Sequence, residues 1–268
     1  MTLNTVCLTG VTATVAEIMG FAPPADSAAP FSAVTKKAEI RFEGRKASRA
    51  LLYNPDAVAL WLHQKYTEYF TDAMAVSDMA IPLLSVMPSV TPVCFGSMYT
   101  GIMPEKHGIM SYTKPVLKCE TLFDSAIAAG KKVAIVSTTG DSISKIFLER
   151  EMDYFIYGDH HTVNEKAFEL IKENKHDIIV VYNGNYDSTM HGKAPEGAES
   201  LEALKENVET YRKFAEAVKS DWKDHDAIFG FMPDHGCHET EGGGGAHGSD
   251  DESDMNIVHF YGFSPREN

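Results

Sequence analysis

Residues 132–183, KVAIVSTTGDSISKIFLEREMDYFIYGDHHTVNEKAFELIKENKHDIIVVYN, decide the fold class. Three short runs rich in β-branched and aromatic residues, KVAIVST (132–138), YFIYG (154–158) and DIIVVYN (177–183), read as strands, and the stretch 163–174 reads as a helix. Strands alternating with helices form a mostly parallel sheet with helices on both faces. The alternation continues outward. SRALLYN (48–54) and IPLLSVM (81–87) lie upstream, AIFGFM (227–232) and NIVHFYG (256–262) downstream, and helical patterns fall at 57–70, 92–100, 120–129 and 198–220. The expectation is a three-layer α/β/α sandwich around a mostly parallel central sheet.

With 268 residues and 44% hydrophobic content, the chain can bury one sizeable core, so residues 1–268 are read as a single domain. Residues 1–46 fit the alternation poorly. They suggest a short helix at 12–19, a loop APPADSAAP (22–30) and a charged strand or hairpin KKAEIRFEGRK (36–46), serving as an edge addition, a lid or an oligomer contact. A net charge of −14 without any Lys/Arg run disfavours a nucleic-acid groove or an anionic membrane surface. Cys7, Cys94, Cys119 and Cys237 are scattered without a CxxC pair, which fits a reducing compartment. The opening MTLNTVCLTGVTATVAEIMG lacks a basic leader, and no segment approaches the roughly 20 apolar residues of a span, so a cytoplasmic protein is expected.

In open α/β sheets ligands bind beyond the carboxyl ends of the strands. Asp56 follows 48–54, Thr91 follows 81–87, Asp187 and His191 follow 177–183, and Asp234 and His235 follow 227–232. Taken singly, such an Asp is ordinarily a cap or turn residue. Asp187 and His191, four apart, share one face of a helical turn and suit joint coordination of a metal. Asp234 and His235 are adjacent and can reach one ion only from a loop or strand end. Recurrence at corresponding strand ends makes coincidence the harder reading.

Thr91 precedes Pro92 and the helical VCFGSMYTG, the pattern of an N-cap followed by proline at the first helical position. The same placement puts a hydroxyl at the positive end of a helix, beside N–H groups able to hold phosphate oxygens. Ser89 is a competing hydroxyl, less well placed for the helix end.

The string PSVTPVCFGSMYTGIMPEKHGI (88–109) resembles the nucleophile segment of the nucleotide pyrophosphatase/phosphodiesterase branch of the alkaline phosphatase superfamily. DSTMHG resembles that family's Asp-x-x-x-His segment, PDHG its SDHG segment and AHG its late His segment, while Asp56 matches the aspartate after the first core strand, with Asp-Ala in place of the usual Asp-Gly. The resemblance implies an alkaline phosphatase-like fold and Thr91 as nucleophile. It further implies one metal site from Asp187, His191 and His247, and a second from Asp56, Asp234, His235 and the Thr91 oxygen. Two divalent ions are implied, zinc by preference with manganese allowed, acting on a small phosphate ester or nucleotide through a phosphothreonine intermediate.

The phosphodiesterase branch commonly carries an Asn three residues after the nucleophile, where this chain has Cys94. The Cys94 backbone N–H is then the candidate phosphate donor, and the choice between diester and monoester stays open. No CxPxR string supports a sulfatase. The short span from Thr91 to Asp187 leaves no room for the large cap of a phosphomutase, which ranks that transferase below hydrolysis; a non-catalytic metal- or phosphate-binding module is the other alternative. EGGGGAHG (241–248) lacks a GK[ST] ending, so its glycines are read as letting His247 swing onto a metal. His238 is a candidate to line the substrate site, and His160 and His161 are read as surface residues.

Overall fold

The computed structural model describes residues 2–267. Its strands are β1 (Arg49–Pro55), β2 (Met79–Leu84), β3 (Val133–Thr138), β4 (Asp153–Tyr157), β5 (Ile178–Asn183), β6 (Ala227–Phe231), β7 (His238–Glu239), β8 (Gly245–Ala246) and β9 (Asn256–Ser264). Seven form the central sheet in the order β2-β9-β6-β1-β5-β3-β4, and β7 pairs with β8 in a separate hairpin. Central β1 pairs in parallel with β5, Ala50 opposite Ile178, and with β6, Leu51 opposite Phe229. Beyond β5 the parallel pairing extends through β3 to β4. β9 alone runs antiparallel, between β6 and β2.

The two-residue period of the strands sorts their side chains between two cores. Ala50, Leu52, Ile178 and Val180 point to one, under α1 (Gly10–Met19), α2 (Ser32–Arg41), α5 (Thr91–Thr100), α7 (Leu122–Ala128) and α8 (Ile143–Ile146), with the short α6 (Pro104–His107) following α5. Leu51, Tyr53, Ile179 and Val181 point to the other, under α3 (Leu60–Lys65), α4 (Thr71–Val76), α9 (His160–Glu173), α10 (Asn185–Lys193) and α11 (Ala198–Asp221). α12 (Glu252–Met255) leads into β9. This is the expected three-layer sandwich. Among the described residues no large cap interrupts the stretch from Thr91 to Asp187, and no helix is long and apolar enough to cross a membrane.

Two local expectations change. Residues 36–46 are not a strand or hairpin: α2 covers most of them, because Val34 and Ala38 repeat at a helical spacing of four and face the core while Lys36 and Glu39 face solvent. The stretch 57–70 does not form one helix. Ala57 adopts a left-handed φ of 62°, and the chain then makes α3, a 3₁₀ turn at Thr67–Phe70 and α4. The N-terminal residues join the sheet edge, Leu8 N–H donating to Leu84 O at 2.9 Å and Leu84 N–H to Val6 O at 2.7 Å. Behind them α1 is buried almost throughout and supports α5, the Thr12 hydroxyl donating to Met98 O at 2.7 Å.

Candidate metal centre

The carboxyl ends of β1, β5 and β6 and the loop after β2 bring the expected residues together at one edge of the sheet. Asp56 is the first residue beyond β1 and is fixed by its N–H to Asn183 O at 2.9 Å. Ala57, at the position where the resembled motif has glycine, adopts a left-handed φ of 62°, a conformation glycine takes without steric cost. Asp187 and His191 lie one turn apart on α10, whereas Asp234 and His235 sit fully buried on the irregular segment after β6. Thr91 is the first helical residue of α5, with Val90 as N-cap and Pro92 next, one position later than expected; its hydroxyl still stands at the positive end. Its Oγ1 lies 3.3 Å from Asp56 Oδ2 and 3.2 Å from His235 Nε2.

Six of the ligand-type residues form two trios. His191 Nε2 and His247 Nε2 each lie 3.3 Å from Asp187 Oδ1. His235 Nε2 lies 3.3 Å from Asp56 Oδ1 and 3.4 Å from Asp234 Oδ2. The His247 ring joins the trios, its centroid 5.1 Å from that of His191 and 4.1 Å from that of His235. Each of these histidines has Nδ1 against a backbone carbonyl: His191 on Gly245 at 2.9 Å, His235 on Gly236 at 2.9 Å, His247 on Ser89 at 3.1 Å. An Nδ1–H so engaged leaves the Nε2 lone pair facing the carboxylates, the arrangement that orients metal-binding imidazoles.

Those carboxylates fit cations. Asp56 Oδ1, Asp187 Oδ1 and both oxygens of Asp234 are buried without a hydrogen-bond partner, an unfavourable state that a divalent ion would relieve. Burial, then the charge of Asp187, pushes the Asp56 carboxyl up to about 7. Burial and the neighbouring Asp56 raise Asp234 well above the carboxylate range. Burial works against ionisation of Asp187 too, but the neighbouring His191 and His247 imidazoles prevail and lower it. His191 is raised to about 9 by Asp187, and His235 is lowered to about 3 by burial and by the charge of His247. Imidazoles and carboxylates without thiolate suit zinc or manganese.

Other expectations are corrected. The Cys94 N–H donates to Val90 O at 3.0 Å within the first helical turn and is not directed at a ligand. The Cys94 Sγ lies 3.2 Å from Ser85 Oγ, and burial raises the thiol well above its usual range, so it stays protonated. His238 turns away: its Nδ1 is 2.8 Å from Asp254 Oδ1, and it closes the segment around α12. Asp254, in the acidic run 249–254, is fully buried and also accepts from Ser249 N–H and Oγ at 2.9 Å. The second half of the glycine run, Gly244 and Gly245, is packed in place. A Cβ on Gly244 would stand 2.5 Å from His191 O and one on Gly245 2.3 Å from Met190 Sδ, so the β7–β8 hairpin lies directly on α10 and delivers His247.

Tyr182, Ser85 and Asp254 were not singled out in the sequence. Tyr182 donates to Asp56 Oδ2 at 2.5 Å and Ser85 to Asp234 O at 2.6 Å. The signal for Tyr182 was its place at the end of DIIVVYN, where a polar tip reaches the site edge. Beside Asp187 opens a cleft of about 570 Å³ whose wall includes Tyr112, Lys114, Asp141, His160, Tyr182 and Asn185.

No family model and no curated protein matches the chain. Solved structures do. Murine ectonucleotide pyrophosphatase/phosphodiesterase 5, an inactive threonine-to-alanine variant in complex with AMP, is similar with a TM-score of 0.57 and 12% identity over 72% of this chain and 58% of that one. The human protein of the same name gives 0.56 and 14% over 72% and 58%. Phosphonoacetate hydrolase from Sinorhizobium meliloti, in complex with phosphonoformate, gives 0.54 and 16% over 76% and 61%. The chain thus spans about three fifths of the length of these proteins. At such identities the likeness concerns architecture, and in that respect the motif resemblance holds: this chain has the alkaline phosphatase-like fold.

Proposed function

We propose that the chain is a phosphoric ester hydrolase working with two divalent cations, zinc or manganese, and passing the phosphoryl group through Thr91. The observation that carries this reading is the buried Thr91 hydroxyl, 3.3 Å from Asp56 and 3.2 Å from His235, with the second trio next to it across the His247 ring. Asp187, His191 and His247 would hold one cation; Asp56, Asp234 and His235, with the Thr91 oxygen, would hold the other. Cations bound there supply Lewis-acid stabilisation of phosphoryl and alkoxide oxygens and an acidified water.

The chain itself contributes orientation and a dry setting. The Thr91 hydroxyl points its proton at Asp56 Oδ2, the direction in which the proton leaves as Oγ1 bonds phosphorus and the ester oxygen departs with its electron pair. Water then attacks phosphorus, and Thr91 leaves with a proton restored. The positive end of α5 favours the charge that develops on the oxygens. A small phosphate ester or nucleotide suits the cleft of about 570 Å³ beside Asp187. AMP and phosphonoformate in the similar structures support that size class. Four free cysteines support a reducing, cytoplasmic setting.

Release of nitrophenol from a nitrophenyl phosphate monoester and from the bis-nitrophenyl diester, with zinc or manganese, tests the reading. Release by the native chain and not by Thr91→Ala is expected. No release from either ester by a chain carrying both metals would leave a binding module in its place.

A further inference from the structure

Contacts between histidines and carboxylates in this chain fall into two classes. His176–Asp153 and His238–Asp254 lie at 2.7 and 2.8 Å, ordinary charge-assisted hydrogen bonds. The contacts within the two trios lie at 3.3 to 3.4 Å. Donors about 2.0–2.1 Å from a tetrahedral zinc ion stand about 3.3–3.4 Å from one another, the edge of the tetrahedron. The second class is therefore at the edge length of a shared coordination tetrahedron and at the long end of the hydrogen-bond range.

Two further contacts belong to that class and lie outside the trios. His160 Nε2 is 3.3 Å and His161 Nδ1 3.4 Å from the same oxygen, Glu206 Oε1. The two rings lie with centroids 4.0 Å apart at the start of α9, and Glu206 reaches them from α11. The other oxygen, Glu206 Oε2, accepts from Asn185 Nδ2 at 2.9 Å, which fixes the carboxylate with Oε1 turned to the imidazoles. Asn185 Oδ1 is itself buried without a partner. His160 and Asn185 line the cleft that also exposes Asp187.

We infer that His160, His161 and Glu206 form a third divalent-cation site, suited to zinc, at the edge of the cleft beside Asp187, which His160 lines. The positive end of α9 carries about half an elementary charge and opposes a cation. Glu206 and the Asp159 carboxylate, which accepts from Thr162 N–H at 2.9 Å, bring two full negative charges against it. Three protein donors leave one tetrahedral position open to water or to an anionic group in the cleft.

The test counts zinc by elemental analysis in the full chain after chelation and reloading. The double variant His160→Ala/His161→Ala is expected to hold one equivalent less than the native chain, and Glu206→Gln to show the same loss, with native melting behaviour in both. Cobalt loading gives a second readout, a visible ligand-field band weakened in the same variants. Equal zinc content in the native chain and both variants overturns the inference. The count is a difference between variants, so it separates this site from the two trios, whose own loss is read from Asp187→Asn and Asp234→Asn.

Discussion

The Tyr182 hydroxyl donates to Asp56 Oδ2 at 2.5 Å, while Asp56 Oδ1 faces His235 Nε2 at 3.3 Å. One carboxylate is thus held from one side and presented on the other. In Tyr182→Phe the ring keeps its edge-on contact with Phe95, at a centroid distance of 5.9 Å, and only the hydroxyl is lost. Loss of a partner that orients a ligand costs about 10- to 100-fold in metal affinity. A chelator competition should show that loss at one of the two trio equivalents, with the melting temperature little changed; unaltered affinity would refute the role.

Thr91→Ala is expected to lower turnover on the order of 10⁴-fold or more while keeping both cations, since the six ligand residues of the trios remain. Thr91→Ser should retain measurable turnover. Cys94→Ala should retain most of it, because the Cys94 thiol is buried and held protonated. Loss of activity in Cys94→Ala with Thr91→Ala still active would exchange their roles.

Gly244→Ala separates the two trios. The added Cβ meets His191 O at 2.5 Å, a backbone atom with little room to move, so the hairpin must lift from α10. Overpacking of this kind costs about 1–3 kcal/mol. The expected result is a lower melting temperature and loss of the cation at Asp187, His191 and His247, with the Asp56 trio still loaded. Simultaneous loss of both cations would show that the trios assemble as one unit.

Metal-free protein should lose stability as pH rises from about 6.5 to 9. His191 is raised to about 9 and Asp56 to about 7, so the folded state keeps protons in this window that the unfolded chain releases near about 6.5 and 3.9. Below 6.5 His235, lowered to about 3, works in the opposite sense, because the unfolded chain then binds a proton that the folded state refuses. With zinc bound the protons are displaced and the decline above 6.5 should vanish. Melting curves at pH 6.5 and 9, with and without chelator, measure both slopes.

The sheet was legible in the sequence because runs such as DIIVVYN are buried on both faces and carry a continuous apolar signal. Asp56, Asp187, His191, Asp234 and His235 were legible as candidate ligands because each follows such a run, whereas His247 was legible only through the resemblance carried by AHG. Residues 36–46 misled because Arg41, Phe42 and Glu43 suggest alternation locally, while the deciding pair, Val34 and Ala38, spans the proposed boundary. His160 and His161 carried no pattern of their own. Their partner Glu206 lies on α11, 45 residues beyond His161 in the numbering, and only the packing of α9 against α11 joins them. Cys94 and His238 failed as site residues for a similar reason: their partners, Val90 O and Asp254, depend on backbone direction, which spacing along the chain does not report.

β9, residues 256–264, lies between β6 and β2, and His247 stands just ahead of it in the chain. During synthesis β2 and β6 therefore each wait with a bare hydrogen-bonding edge until nearly all of the described chain has left the ribosome. Such edges invite pairing with neighbouring nascent chains. Insertion of one late antiparallel strand removes both hazards at once, so the order of translation, as much as the final contacts, sets how cleanly this protein reaches its native sheet in a crowded cell.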